Sequence, residues 1–251
     1  MSKDLTNLLR DWPYEAGQIN VRLVEADDGR PLVQLRLDLG MLQMEMSGRP
    51  DGQSIDGFES ALEMHEESLD EATTEDELEQ RVLSEEQCRQ LRDEAVQYYH
   101  RYIALLILGE YDGVLRDTSR NLRVLDLCRD HAEAEDDQQV LEQFRPYLLM
   151  MRARALASQM VSADEPKGAL LALDWGLDEI RAVLETSGQV EAMDTLNEVQ
   201  LLRGMRSELM KKLPASQKSE LRHRLEEAIR AENYELAAIL RDELRNLKEH
   251  P

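Results

Sequence analysis

Two periodicities divide the chain. From Ile19 to Ser47 the hydrophobic positions recur every second residue, in three runs: Ile19, Val21 and Leu23 against Asn20, Arg22 and Val24, then Val33, Leu35 and Leu37 against Gln34, Arg36 and Asp38, then Leu42, Met44 and Met46 against Gln43, Glu45 and Ser47. A period of two puts each set on its own face of a strand. Asp27-Asp28-Gly29 is a hairpin turn signal, Leu39-Gly40 is a tight second link, and Gly48-Arg49-Pro50-Asp51-Gly52 closes the region. The expectation for 1–53 is a small antiparallel three-stranded meander with one apolar face. A short amphipathic helix to about Arg10 precedes it and ends at Trp12-Pro13-Tyr14, where proline cannot continue a helix. From Ser84 to the end the period lengthens to three and four, so the fold class is mainly α.

Within 84–213 the helices pair off. Ser84-Glu85-Glu86-Gln87 reads as a capping box, and Leu91, Ala95, Tyr98, Tyr99, Tyr102, Leu105 and Leu106 form a band that Gly109 ends. A helix from Phe144 to Val161 meets a turn at Asp164-Glu165-Pro166, with Pro166 suited to the first position of a helix through Trp175 and Ile180. Sliding that second pair back by 55 residues lays Leu170 on Leu115, Leu177 on Leu122 and Ile180 on Leu125. The stretch 106–127, with Gly109-Glu110-Tyr111-Asp112 at its turn, resembles the turn and second helix of a tetratricopeptide repeat. Val114 stands where that family prefers Ala, and its proline and first-helix tryptophan are absent. The 55-residue offset also exceeds that family's period of about 34, so the reading is related helical hairpins in a short solenoid or bundle. Gln189 to Leu213 reads as one more helix, and 211–216 as a linker broken by Pro214.

The last segment, 217–249, reads as a two-helix hairpin. Leu221, Leu225, Ala228 and Ile229 recur at helical spacing, Asn233 is placed to cap a second helix, and Leu236, Ile239, Leu240, Leu244 and Leu247 continue beyond it. At about 100° per residue the first helix keeps its apolar residues in an arc of about 100°, and the second spreads them over about 160°, with Glu243 inside. One partner helix does not cover the wider arc. Leu225-x-x-Ala228-Ile229, Asn233-Tyr234-Glu235-Leu236-Ala237-Ala238 and Leu240-Arg241-Asp242-Glu243-Leu244 with Leu247 resemble the UVR motif, the hairpin carried by the excision-repair proteins UvrB and UvrC and found also in Clp chaperone ATPases and McsA-type adaptors. Tyr234 stands where the family usually has Phe. The resemblance implies a protein–protein contact made by Leu225, Ile229, Tyr234, Leu236, Ala237, Leu240, Arg241, Leu244 and Leu247. The partner it implies is another such hairpin or a helical surface, with a homodimer as one form.

Composition and charge narrow the rest. Aromatic residues make up only 4% of the 251, so the helices must pack on Leu, Ala and Met. The formal charge of −22 repels a phosphate backbone and removes the counterion release that drives nucleic-acid binding, so no direct nucleic-acid partner is expected. Thirteen acids lie between Asp56 and Glu86 against Arg81 alone. Phe58, Leu62, Leu69, Leu78 and Val82 give 54–83 parts of a helical stripe, and the dense like charge favours a solvated helix and linker over an acidic dock for a basic partner. Cys88 and Cys128 carry no Cys-x-x-Cys spacing, which points to buried thiols in a reducing compartment. No eighteen-residue apolar run and no signal-peptide core are present in the sequence, so the expectation is a cytoplasmic protein without a membrane partner.

Enzyme signatures are absent from the sequence: no Gly-x-x-x-x-Gly-Lys loop, no Gly-x-Ser-x-Gly elbow, no His-Glu-x-x-His. His65, His100, His131, His223 and His250 are scattered and read as surface or partly packed side chains. The helicase loop of UvrB, the nuclease module of UvrC and the paired zinc ligands of McsA are missing as well, so the chain carries their docking device without their chemistry. The reading is a non-enzymatic adaptor with no cofactor, recruiting an excision-repair nuclease subunit or a Clp-type ATPase. The alternatives are a ligand-sensing or enzymatic meander, whose glycines let backbone amides approach a ligand, and a direct component of nucleotide excision repair.

Overall fold

The computed structural model describes residues 4–71, 82–212, 217–230, 233–234 and 236–241. The chain divides into two compact units, Met1–Arg206 and Ser207–Pro251. The fold is mainly helical with one small antiparallel sheet near the N-terminus.

A short helix α1 (Thr6–Asp11) precedes the strands β1 (Asn20–Glu25), β2 (Pro31–Arg36) and β3 (Met41–Glu45), which form a three-stranded sheet in the order β1-β2-β3. Register places Leu23 opposite Val33 and Val33 opposite Met44, with Val21, Leu35 and Leu42 beside them, so one face is apolar as the alternation predicts. The other face is polar, with Gln34 and Arg36 of the central strand buried and Gln43 exposed. Arg22 Nε donates to Gln34 Oε1 at 2.8 Å, and Gln34 Nε2 donates to Gln43 Oε1 at 2.8 Å, a side-chain ladder across all three strands. The Arg22 guanidinium lies 4.1 Å from the Trp12 ring centroid, and Arg36 donates to the carbonyls of Trp12 and Gly40, so the segment after α1 is tied to this face. The strands are shorter than the alternation implies. Leu37 leaves β2 because its N–H donates to the Gly40 carbonyl at 2.9 Å, closing a turn around Asp38-Leu39. Met46 leaves β3 because its carbonyl accepts from Arg116.

α2 (Ala61–Asp70) starts at Ser60, whose Oγ accepts from the Glu63 amide. This helix belongs to the acidic segment expected to be solvated, yet Ala61, Leu62 and His65 are buried. The stripe at i, i+1 and i+4 faces inward while Glu66 pairs with Arg123, so charge density misled where periodicity did not. Residues 72–81 lie outside the described residues.

The capping box forms as read: Gln87 N–H donates to Ser84 Oγ and Ser84 N–H to Gln87 Oε1, starting α3 (Glu85–Leu108). Gly109, in the left-handed region at φ 79°, ends it and leads to α4 (Tyr111–His131). A short α5 (Glu135–Gln139) and a 3-10 turn Glu142–Phe144 connect to α6 (Arg145–Ser162), which pairs with α7 (Pro166–Thr186). The two turns share one geometry. Asp164 is left-handed at φ 59°, and Glu165 N–H bonds to the Met160 carbonyl as Glu110 N–H bonds to that of Leu105, at the 55-residue offset read from the sequence. α4 packs on α6, joining the two hairpins. At the α6–α7 crossing a Cβ on Gly176 would stand 2.3 Å from Ala153 Cβ, so only glycine permits that approach. The single helix expected over Gln189 to Leu213 is broken. A 3-10 turn Val190–Asp194 comes first, the Thr195 hydroxyl bonds back to the Ala192 carbonyl, and α8 (Asn197–Lys212) starts afterwards.

Sheet and helices meet at a buried ion-pair network. Arg101 and Asp117 are fully buried and form a bidentate pair, Nε to Oδ2 at 2.7 Å and Nη2 to Oδ1 at 2.8 Å. Arg101 Nη1 also donates to the carbonyls of Glu45 and Gly48, at 3.0 and 2.8 Å. Beside it, Glu94 accepts from Arg120 at Oε1 and from the Ala61 amide at Oε2, and Arg49 Nε lies 3.5 Å from Oε2. Tyr98 packs between the Arg101 and Arg120 guanidiniums, and burial pushes its hydroxyl up to about 12.

Candidate functional site

In the second unit, α9 (Gln217–Arg230) runs into a turn and a further helical segment, 236–241. Asn233 makes the turn. Its amide bonds to the Ala228 carbonyl at 2.8 Å, its carbonyl accepts from Ala237, and its Oδ1 accepts from the Leu236 amide at 3.2 Å. A side-chain acceptor at that position satisfies an amide that the first helical turn leaves unpaired. The boundary at Asn233 follows.

The seam of the hairpin is small. Ala228, Ala237 and Leu240 are buried together, with Leu225 packed against them. Two alanines allow the backbones to approach, and Leu240, 2% exposed, fills the space between. The wide arc of the second helix therefore divides in two. Ala237 and Leu240 turn into the seam, while Leu236 and Ile239, offset by about 100° per residue, stay outside with Ile229 and Tyr234. Tyr234, 69% exposed, is the most open large apolar side chain of the described hairpin. Arg241 is exposed at the end of the described segment. Of the residues expected to meet a partner, Ile229, Tyr234, Leu236 and Arg241 lie on the surface, Ala237 and Leu240 in the seam, and Leu225 between. Leu244 and Leu247 lie outside the described residues. Ile239 completes the surface group; it stands in the same apolar run and was absent from the expected contact set.

The other candidates fall elsewhere. His65 is buried on α2 with Nε2 unpartnered among the described residues, and burial holds its imidazole below the ordinary value, as it does for His100. Cys88 and Cys128 lie side by side, fully buried. Burial pushes the Cys88 thiol up and that of Cys128 up to about 12, so both stay protonated and unreactive at neutral pH. The glycine loop of the meander is engaged from within, since the Gly48 carbonyl accepts from Arg101. Among the described residues no three His, Cys, Asp or Glu side chains are grouped to hold a metal ion, and no helix is long and apolar enough to cross a membrane.

The fold is that of a mainly helical protein with a small N-terminal sheet and a C-terminal helical hairpin. Residues 215–249 match the family model described as the UvrB/uvrC motif. Neither the curated proteins nor the solved structures contain a match to this chain.

Proposed function

We propose that the chain is a non-enzymatic adaptor whose UVR-type hairpin docks a protein partner, an excision-repair nuclease subunit or a Clp-type ATPase, in a chain whose first unit is a body of stacked helical hairpins. The observation that carries this reading is the division of apolar residues in the hairpin. Leu225, Ala228, Ala237 and Leu240 hold the two helices together, and Ile229, Tyr234, Leu236 and Ile239 remain on the surface. An exposed aromatic among aliphatic residues is the composition of an interface centre. Its docking face is the edge formed by these four, with Arg241 placed to hydrogen-bond a partner carboxylate.

Copurification from the native host tests the reading. The full chain is expected to retain one dominant protein that a chain lacking residues 217–249 does not. A UVR-bearing nuclease subunit or a Clp-type ATPase supports the adaptor, and equal recovery by both chains contradicts it.

A further inference from the structure

The sequence contains the same reactive dipeptide, Asp-Gly, at four places: Asp28-Gly29, Asp51-Gly52, Asp56-Gly57 and Asp112-Gly113. Glycine has no side chain to shield its amide nitrogen, and a five-membered ring closes when that nitrogen reaches the Cγ of the aspartate before it. Three of the four are held against this reaction. The Asp28 carboxylate accepts from the Arg30 amide and from Arg30 Nε at 2.7 Å, which holds its carboxyl below the usual carboxylate range, and the Gly29 N–H is bonded to the Ala26 carbonyl. Asp51 accepts from the Gln53 amide, from Gln97 and from Arg49 at 3.1 Å, and the Gly52 N–H is bonded to the Arg49 carbonyl. Asp112 lies in the first turn of α4, where the helix fixes its backbone, and its Oδ1 accepts from Gln159 at 2.7 Å.

Asp56-Gly57 has none of these restraints. Both residues are exposed and both are left-handed, at φ 50° and 94°, the backbone of a tight hairpin turn. An aspartate there is strained, since a side chain disfavours that region. Among the described residues, neither the Asp56 carboxylate nor the Gly57 N–H has a hydrogen-bond partner, and nothing stands within 4 Å of where a Cβ on Gly57 would lie. Ring closure requires rotation about the Asp56 Cα–C bond. Only the two hydrogen bonds exchanged by Ile55 and Phe58, at 3.0 and 2.8 Å, hold the turn against it. Short exposed pairings of this kind open at low cost.

We propose that Asp56-Gly57 is a site of spontaneous isomerisation to isoaspartate, selected by the structure over the other three steps. The Gly57 nitrogen bonds to Cγ of the neutral Asp56 carboxyl group, and the carboxyl OH leaves with the amide proton as one water. The succinimide so formed holds the nitrogen between two carbonyls. One water then adds to the main-chain carbonyl, breaks its bond to nitrogen and returns a proton there, so the chain continues through Cγ with its composition unchanged. No oxidant, reductant or co-reactant besides water takes part. The product backbone is longer by one methylene, and the paired hydrogen bonds of Ile55 and Phe58 no longer close around it. Ser60, whose Oγ caps α2, stands two residues beyond Phe58, so the lengthened turn leads directly into that helix. The hairpin reading and this one are independent.

The test keeps the full chain for several weeks at near-neutral pH in water enriched in heavy oxygen, with a second sample unfolded in guanidinium chloride. Ring opening places one heavy oxygen in the product whichever carbonyl the water attacks. Mass spectrometry of proteolytic peptides therefore follows turnover at each Asp-Gly step, and a protease that cuts before aspartate and not before isoaspartate reports the new linkage. In the folded chain Asp56 is expected to label roughly tenfold faster than Asp28, Asp51 or Asp112, the worth of the hydrogen bonds their carboxylates must first release. In the unfolded chain all four should label at similar rates. Asp56→Glu, which would need a six-membered ring, should leave residues 53–60 unlabelled. Equal labelling of the four steps in the folded chain, faster labelling at another step, or no labelling at Asp56 overturns the proposal. So does a labelled peptide over 53–60 in Asp56→Glu. The wild-type comparison decides by itself if that variant does not fold.

Discussion

Arg101 holds the sheet to the helices through one guanidinium. Its bidentate pair with Asp117 is fully buried, and its remaining nitrogen reaches the carbonyls of Glu45 and Gly48. Removing one partner of such a pair strands a charge in the interior, at a cost of about 3 to 5 kcal/mol. Asp117→Ala is therefore expected to lower stability by that order in denaturant titration, and Arg101→Met to expose the amides around 45–48 to hydrogen exchange first. A second residue prediction concerns His65, whose pKa in the folded chain lies below the ordinary imidazole value of about 6.5 because it is buried. The unfolded chain binds the proton more readily, so stability is intact above about pH 6.5 and falls as pH drops through that value toward the folded pKa. His65→Leu should flatten the decline between about pH 6.5 and 5 in melting experiments. Local chemistry was readable in the sequence: Ser84, Gly109, Pro166 and Asn233 obey rules that need only their neighbours. The ion-pair network was not, since its partners stand far apart in the chain. A trace existed in Glu94 and Arg101, which share the inner stripe of α3 with Leu91, Tyr98 and Leu105, positions where a charge requires a buried partner.

At the scale of elements, the helical hairpins follow from period and punctuation, and the close approach of α6 and α7 at Ala153 rests on one glycine. Gly176→Ala puts a methyl into the space of Ala153, with Leu202 3.3 Å away on the other side. Overpacking of this kind costs about 1 to 3 kcal/mol, so the variant should melt several degrees lower. Gly113→Ala is the contrast, because its new methyl meets the end of the Leu105 side chain and not a Cβ next to the backbone. α2 shows where element reading failed. Thirteen acids between 56 and 86 suggested a hydrated segment, but burial depends on which face the charges occupy, and Ala61, Leu62 and His65 share the other one. The break before α8 was missed because Thr195-Leu196 carries no glycine or proline to announce it; its signal is a hydroxyl that bonds backward.

For the whole molecule, charge and the hairpin make separate predictions. A chain of net charge −22 should show no shift of duplex DNA at about 150 mM salt in a mobility assay, where screening leaves only close contacts. The hairpin was legible as an element and as a resemblance, and its partition into seam and edge was not. Sequence places Leu240 and Ile239 in one apolar arc, and only the path of the chain after Asn233 turns the first inward and the second outward. The adaptor reading therefore rests on the outward set. Its most direct test is partner capture by a Tyr234→Ala/Ile239→Glu chain, with hydrogen exchange over residues 224–241 to report whether the hairpin stays closed and Leu240→Ala as the variant that opens it. The account predicts native exchange protection with capture lost in the double variant, and both lost in Leu240→Ala. Undiminished capture by the double variant with its hairpin closed would contradict it.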